Sequence, residues 1–284
     1  MNKKYFTPKK IHAYLRAAIQ LVFFLFLPSA FTTAFSGIKS VLTQIGAGNP
    51  IAWSSFLTVL LALCAYTIVF GRFFCGYACA FGTLGDAVHS LYLFLCKKCK
   101  KKPLLLKKSW KKPLSYVKYA VLLAVVLLCF LGVYGDLTGW SPWDVFSMLR
   151  SGNFKVGAYC LGCILLVLIL VGMVFCERFF CRFLCPMGAV FSLLPILPFF
   201  SVRRKREKCA KGCTACEKVC PSDLSLPEDG SWNVSGDCFQ CQKCLEICPK
   251  KNAKSSIRNF RGNEIWFTVL RAVVLAAVLI LAGI

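Results

Sequence analysis

Five apolar stretches dominate the hydropathy pattern of the chain. Each approaches the ~20 residues that a bilayer-spanning helix requires, and they run at about Leu15–Phe35, Trp53–Phe70, Tyr116–Val133, Val156–Phe175 and Ile265–Ile284. Pro28 predicts a kink in the first stretch. Arg271 lies in the last, where its side chain could extend to the nearer membrane interface; the alternative is that this helix lies partly in the interface. The pattern predicts a mainly α, polytopic helical membrane protein with about five spans.

Positive charge is concentrated on alternate sides of these stretches. The N-terminal segment, the connection with nine lysines between Lys97 and Lys112, and the run Arg203–Lys208 are strongly basic. The other two connections hold only Lys39, and Arg150 with Lys155. This positive-inside distribution predicts a multi-pass protein of the bacterial plasma (inner) membrane, with its N-terminus cytoplasmic. The net charge of +23 then reflects topology, and we expect no nucleic-acid partner.

Two cysteine runs lie between the fourth and fifth apolar stretches. They read Cys209-x3-Cys213-x2-Cys216-x3-Cys220-Pro221 and Cys238-x2-Cys241-x2-Cys244-x3-Cys248-Pro249. The second run matches the bacterial ferredoxin pattern, in which three cysteines bind one cluster and the fourth binds the other. The first run has one extra residue between its first two cysteines.

This spacing predicts two 4Fe–4S clusters with exchanged fourth ligands. One cluster would be held by Cys209, Cys213, Cys216 and Cys248, and the other by Cys238, Cys241, Cys244 and Cys220. Zinc would require two cysteine pairs per site, and disulfides would require an oxidising compartment. Both alternatives fit poorly with two runs of four cysteines on the cytoplasmic side.

The cysteine runs also suggest the domain organisation. We predict a membrane domain at residues 1–202, a small α+β two-cluster ferredoxin domain in the cytoplasm at 203–261, and a C-terminal transmembrane helix at 262–284. The ferredoxin segment has 13 basic and 7 acidic residues. A basic face favours an acidic redox partner, such as a soluble ferredoxin or flavodoxin, and anionic lipid headgroups are the alternative.

A second cysteine motif occurs twice in the membrane domain. Gly71–Gly82 and Glu177–Gly188 share Arg, Phe, Phe, Cys, Cys and Gly in register. Each block follows a pair of apolar stretches, which predicts two parallel repeats at about 15–95 and 116–200. Cysteines four apart share one face of an α-helix, so both pairs could converge on a third metal centre held by Cys75, Cys79, Cys181 and Cys185. Thiolates favour iron–sulfur clusters, copper or zinc, and buried inert cysteines are the alternative.

Further polar and aromatic residues lie beside these blocks. Arg72 and Arg178 could compensate thiolate charge or bind lipid phosphate, and they could equally be the positive flanks of spans. Asp86 and His89 are candidate proton acceptors for quinol oxidation. The loop Trp140–Phe146 is a candidate quinone pocket, although paired tryptophans also mark membrane interfaces.

The combination of motifs resembles the NapH-type family of polytopic membrane ferredoxins. Two Cys-x3-Cys blocks after paired spans, followed by two ferredoxin runs, are also similar to the C-terminal part of NosR and to CcoG. The resemblance covers about Trp53 to Lys251. It implies cluster ligation by the eight ferredoxin cysteines and an electron-transfer role for the four membrane cysteines. The chain departs from the family in Ala80, which replaces a proline, in the extra residue of the first run, and in the fifth span.

These observations predict a membrane-bound iron–sulfur electron-transfer protein, acting as a subunit of an oxidoreductase of the quinol dehydrogenase type. It would pass single electrons between the quinone pool, or a redox partner at the outer face, and a cytoplasmic carrier. One alternative is a copper or other metal reductase or assembly factor of the CcoG type. The other is a redox-sensing regulator or scaffold of the NosR type.

Overall fold

The computed structural model describes residues 8–134, 141–150, 152, 159–197, 200–257 and 263–284. The helices are α1 Pro8–Phe26, α2 Ala30–Gly46, α3 Ser55–Phe70, α4 Phe73–Tyr77, α5 Ala80–Lys98, α6 Lys108–Leu114, α7 Val117–Phe130, α8 Pro142–Arg150, α9 Cys160–Phe175, α10 Pro186–Leu193, α11 Ala215–Lys218, α12 Lys243–Ile247 and α13 Glu264–Leu281. The strands are β1 Phe200–Lys205, β2 Asp229–Trp232 and β3 Lys254–Ile257. The chain is therefore mostly helical, with one small sheet.

The chain divides into two compact units. The first comprises Met1–Leu27, Ala62–Cys79 and Phe191–Leu281, and the second comprises Pro28–Leu61, Ala80–Val190 and Ala282–Ile284. The first unit thus holds both ferredoxin cysteine runs and one Cys-x3-Cys block. The second unit holds the other block.

An antiparallel sheet of order β2-β1-β3 supports the cysteine runs in the first unit. Val202 of β1 packs with Cys216 of α11 and Leu245 of α12 in a small core that also holds Leu226 and Ala253. β1 begins at Phe200, upstream of the boundary that the sequence places at residue 203.

Three helices of the first unit contact the ferredoxin segment or each other. α1 packs against α12, α4 and α13, and α13 packs against β3 and α4. Arg16 of α1 donates to the carbonyl of Cys241 at 2.9 Å and pairs with Glu246 at 2.7 Å. Tyr66 donates to the carbonyl of Arg271 at 2.9 Å. The ferredoxin segment is therefore packed against α1, which precedes it in the sequence, and against α13, which follows it.

Aromatic side chains form the core of the second unit. Phe31 contacts Phe81 and Phe180 edge-on, with ring centroids 5.5 and 6.0 Å apart. Trp143 packs against Phe35 at 5.0 Å and is buried, so it belongs to the core rather than to a membrane interface. Trp140, the other half of the predicted pair, lies outside the described residues.

Two helices of the described segments are long and apolar enough to cross a membrane, namely Ser109–Phe130 and Glu264–Leu281. α1 and α2 would add a third if they form one broken span, and their interruption coincides with the kink predicted at Pro28. α3 and α9 are apolar but have 16 residues each, or about 24 Å, against a hydrocarbon core of about 30 Å. The predicted total of five spans therefore stays a prediction.

Arg271 departs from its predicted position. The side chain is 1% exposed, and it lies inside the first unit instead of extending to an interface. Its guanidinium stacks over the Phe73 ring at 4.9 Å and donates to the Ser255 hydroxyl at 3.2 Å. The snorkelling prediction is therefore wrong, because α13 packs its charged face against protein.

Candidate iron–sulfur site

One pocket of the first unit is lined by five of the eight ferredoxin cysteines. Cys238, Cys241 and Cys244 of the second run line it together with Cys220, the last cysteine of the first run. Cys216 also reaches the same pocket. The structure thus places Cys220 with the second run, which is the arrangement that an exchanged fourth ligand requires.

The backbone of the second run curls tightly around this pocket. Gln240 and Gln242 adopt left-handed conformations with φ of 53° and 61°, which cost of order 1–3 kcal/mol each for residues with a side chain. Buried hydrogen bonds hold both side chains. Gln242 donates to the Thr268 hydroxyl at 2.8 Å, and Gln240 donates to the Ser201 hydroxyl at 3.5 Å. These hydrogen bonds therefore stabilise the loop conformation in which the cysteines of the second run line the pocket.

Burial and mutual repulsion disfavour the ionised form of the thiols in this pocket. Burial raises the pKa of Cys238 to about 11. Burial, and then repulsion from the neighbouring cysteines, raises the pKa of Cys244 well above its ordinary value. Such a group of thiolates needs cationic charge at its centre, and a bound iron–sulfur core would supply it. The donor set fits a 4Fe–4S cluster.

Asn252 connects two cysteines of the other predicted set. Its backbone N–H donates to Cys248 Sγ at 3.2 Å, and its side-chain amide donates to Cys209 Sγ at 3.3 Å. Cys248 also packs against the core that contains Cys216. The last cysteine of the second run therefore lies beside the first run.

Arginines complete the surroundings of this second set. Arg204 is 2% exposed and donates to Cys216 Sγ at 3.1 Å. Arg206 donates to the carbonyl of Cys213 at 2.9 Å. Hydrogen bonds to sulfur stabilise the thiolate form and tune cluster potentials. This set also fits a cluster, and the ligand roles of all eight cysteines stay a prediction.

No disulfide joins the cysteines in the described part of the chain. Among the same residues, no group of three or more His, Cys, Asp or Glu side chains is arranged to hold a single metal ion.

The two Cys-x3-Cys blocks differ from the predicted single α-helix. Cys75 lies in α4, but α4 ends before Cys79. Cys181 lies in a short π-helical turn, and Cys185 follows it with extended backbone. The shared-face argument is therefore wrong, because neither block is a continuous α-helix.

All four cysteines are buried, and Cys185 Sγ accepts the backbone N–H of Gly188 at 3.2 Å. Since the pairs belong to different units, a common metal centre stays a prediction.

The first Cys-x3-Cys block packs directly on the second ferredoxin run. A side chain at Gly76 would place its Cβ 2.3 Å from the carbonyl oxygen of Phe239, so only glycine allows this approach. Arg72, which is 1% exposed, donates to the carbonyl of Gly236 at 3.4 Å and lies 3.7 Å from the Asp237 carboxylate. Its guanidinium also stacks on the Phe239 ring at 4.7 Å. Sequence spacing gave no sign of this contact between motifs more than 150 residues apart.

Arg178 has a carboxylate partner that the sequence pattern did not reveal. It donates to both oxygens of Asp86, from Nε at 3.0 Å and from Nη2 at 2.5 Å. Arg178 is fully buried and has a left-handed φ of 56°. Nearby, Nδ1 of His89 lies 3.0 Å from the carbonyl oxygen of Val174, so this nitrogen carries the ring proton. A proton-transfer role for Asp86 and His89 stays a prediction.

Comparison with known families bears on the same motifs. A family model described as a 4Fe-4S binding domain matches residues 52–113 and 161–206. The first range contains Cys75 and Cys79, and the second contains Cys181 and Cys185. Both ranges end before the ferredoxin runs. No solved structure matches the chain.

Two of three similar proteins have names that refer to electron transport or ferredoxins. An uncharacterized protein of Methanocaldococcus jannaschii is 32% identical over 68% of this chain and 68% of its own length. The putative electron transport protein YccM of Escherichia coli is 27% identical over 75% of this chain and 59% of its own length. The ferredoxin-type protein NapH of Haemophilus influenzae is 26% identical over 70% of this chain and 67% of its own length.

Proposed function

Because the chain belongs to the NapH-type family of membrane ferredoxins, we propose that it passes single electrons between the quinone pool, or a redox partner at the outer face, and a cytoplasmic carrier. Iron–sulfur electron transport is the activity of this family. The observation that supports the proposal for this chain is that Cys220 lines the pocket of the second run, while Asn252 bonds to both Cys248 and Cys209.

Two 4Fe–4S clusters would supply the one-electron chemistry. We call one the inner cluster, because its cysteine run packs on the first Cys-x3-Cys block; its ligands would be Cys220, Cys238, Cys241 and Cys244. The other is the outer cluster, and its ligands would be Cys209, Cys213, Cys216 and Cys248. The chain's own contribution is to bury the thiols, to donate N–H groups to sulfur and to exclude water from the inner pocket.

The surface beside the outer cluster suits an acidic redox partner. Lys208 and Lys211 flank Cys209, and Lys250 and Lys251 follow Cys248, and all four side chains are exposed. A cationic rim attracts an acidic protein and orients its redox centre toward the cluster. A soluble ferredoxin or flavodoxin has the chemistry of such a partner.

The membrane part of the proposal rests on the apolar helices and on the positive-inside charge pattern. We place the chain in the bacterial plasma membrane as a multi-pass protein, with the N-terminus and the ferredoxin segment in the cytoplasm. An apolar pocket of about 370 Å³ in the second unit supports a quinone site. Its size lies in the range of small-molecule sites, and its walls include Leu105, Trp110, Phe175 and Phe179.

The test is reduction of the clusters in the full chain, purified without oxygen in detergent. Iron and sulfide are counted first, then a menaquinol analogue or reduced ferredoxin is added and the clusters are followed by EPR. Reduction by either donor supports electron transfer and sets its direction. A chain that holds no cluster after anaerobic reconstitution, or whose clusters neither donor reduces, would contradict the proposal.

A third metal centre is the second candidate feature, favoured by the family model that covers both Cys-x3-Cys blocks. Serine at Cys75, Cys79, Cys181 and Cys185 should then lower the iron and sulfide content below that of the parent chain. Copper bound by the parent and lost in this variant would instead favour the metal reductase alternative. Unchanged metal content and unchanged cluster spectra would exclude a centre at these cysteines.

A further inference from the structure

Arg271 is a buried cation that contacts neutral groups in the described part of the chain. Its Nε donates to the carbonyl of Phe267 at 3.3 Å, and Nη2 donates to the Ser255 hydroxyl at 3.2 Å. The face of the guanidinium stacks over Phe73. Nη1 is buried and has no hydrogen-bond partner in the described part of the chain.

The other buried arginines of the first unit have carboxylate partners. Arg72 lies 3.7 Å from Asp237, and Arg204 lies within 4.0 Å of Glu217 and Glu228. Within the segments that the structure describes, no carboxylate comes within ion-pair distance of Arg271. An uncompensated buried charge is strongly unfavourable, so this site needs a negative charge that the amino acids do not provide.

The packing of α13 places Arg271 beside the second cysteine run. Thr268, one turn before Arg271, bonds to Gln242 between Cys241 and Cys244. Phe73 belongs to the block that packs on residues 236–239. These two contacts therefore bring the guanidinium close to the pocket that Cys238, Cys241 and Cys244 line.

We propose that Arg271 is the counter-charge of the inner cluster and raises its reduction potential. Four thiolates and four sulfides outweigh the positive charge of the irons, so the cluster is anionic and becomes more negative on reduction. A fixed cation in a poorly hydrated site favours the reduced form. α13 is then part of the redox site as well as an apolar anchor. This inference rests on the clusters of the proposed function.

The experiment is an EPR-monitored redox titration of the full chain with Arg271→Gln, Arg271→Lys and a matched control, Arg203→Gln. Arg203 is exposed and stacks on Trp232, so its replacement removes the same charge from the surface of the same segment. We expect Arg271→Gln to decrease the ratio of reduced to oxidised inner cluster about tenfold at a fixed potential. This corresponds to a reduction potential about 59 mV lower for a one-electron couple. Arg271→Lys should retain most of the parent potential, and the outer cluster should be unchanged.

Two further variants assign the effect. The signal that shifts should be the one that disappears in Cys241→Ser. Thr268→Val loosens the docking of α13 without changing charge, and its shift should be smaller than that of Arg271→Gln. Loss of the inner cluster in Arg271→Gln, with both clusters kept in Arg271→Lys, also supports a charge role.

Several results would overturn the inference. They are equal shifts in Arg271→Gln and Arg271→Lys, equal shifts of both clusters, or potentials unchanged in Arg271→Gln. Equal loss of iron in both Arg271 variants would show a packing role only. A parent chain without clusters would instead contradict the proposed function, so the two failures are distinguishable by iron and sulfide content.

Discussion

Arg178 binds both carboxylate oxygens of Asp86, joining the second Cys-x3-Cys block to α5. Both side chains are largely buried, at 0% and 11% exposure. Removing one partner leaves the other charge buried and uncompensated, which typically costs about 3–5 kcal/mol. The ion pair therefore holds the second Cys-x3-Cys block against α5. The left-handed backbone of Arg178 is strained, and the ion pair helps to stabilise it.

We predict that Asp86→Asn lowers the unfolding free energy of the detergent-solubilised chain by about 3–5 kcal/mol. The measurement is thermal or denaturant unfolding, with Glu207→Gln as an exposed control that removes the same charge. The double variant Asp86→Leu/Arg178→Met should be less destabilised than the sum of its single variants. Asp86→Asn with the stability of the parent would show that the pair contributes nothing.

The exchange of fourth ligands can be tested by counting clusters. Serine at Cys209, Cys213 and Cys216 should remove the outer cluster and leave about four iron atoms per chain. In that background, Cys220→Ser should abolish or strongly destabilise the remaining cluster, whereas Cys248→Ser should have no effect on it. The reverse result would show that each run binds its own cluster without exchange.

The apolar pocket of the second unit makes a separate prediction for quinol reactivity. Trp110 lines this pocket, and truncation of an aromatic contact residue commonly costs more than about 1 kcal/mol of binding. Trp110→Ala should therefore slow cluster reduction by a menaquinol analogue about 5- to 10-fold, with reduction by dithionite unchanged. Trp53→Ala is the matched control, because Trp53 is 77% exposed and does not line the pocket. Equal rates in both variants would argue against a quinone in this pocket.

Charge reversal beside the outer cluster should weaken docking of an acidic partner. We predict that Lys250→Glu/Lys251→Glu lowers the rate of electron exchange with an acidic ferredoxin about tenfold at low salt, and less as salt screens the interaction. Lys100→Glu/Lys101→Glu makes the same change in the lysine-rich connection and serves as the control. A similar loss in both variants would point to general surface charge instead of a docking site.

Local spacing predicted the features that depend on neighbouring residues. The cysteine runs from Cys209 to Pro249 indicated iron–sulfur chemistry, which is also the chemistry of the family. A cluster requires short and regular spacing of its cysteine ligands along the sequence. The break at Pro28 followed from the missing N–H and the ring of proline. Both signals are contained within a few residues.

Features that depend on distant partners could not be predicted in this way. Asp86 and Arg178 are 92 residues apart, and Arg271 and Phe73 lie on opposite sides of the ferredoxin segment in sequence. A hydropathy pattern shows that a charged residue lies within an apolar stretch, but it does not show which protein groups surround it. The sequence therefore suggested that Arg271 reaches a membrane interface, whereas the side chain is buried in protein. The helical-face argument failed at Cys181 for a local reason, since a π-helical turn changes the spacing that the α-helix assumes.

The left-handed loop at Gln240 and Gln242 has a consequence for how the protein matures. The loop is held by Arg16 of α1, which is translated before both cysteine runs, and by Thr268 of α13, which is translated after them. A nascent chain that has released only the cysteine runs from the ribosome still lacks one half of this clamp. Iron delivery to the inner pocket is therefore expected to follow synthesis of α13, so cluster loading would report that both helices are in place.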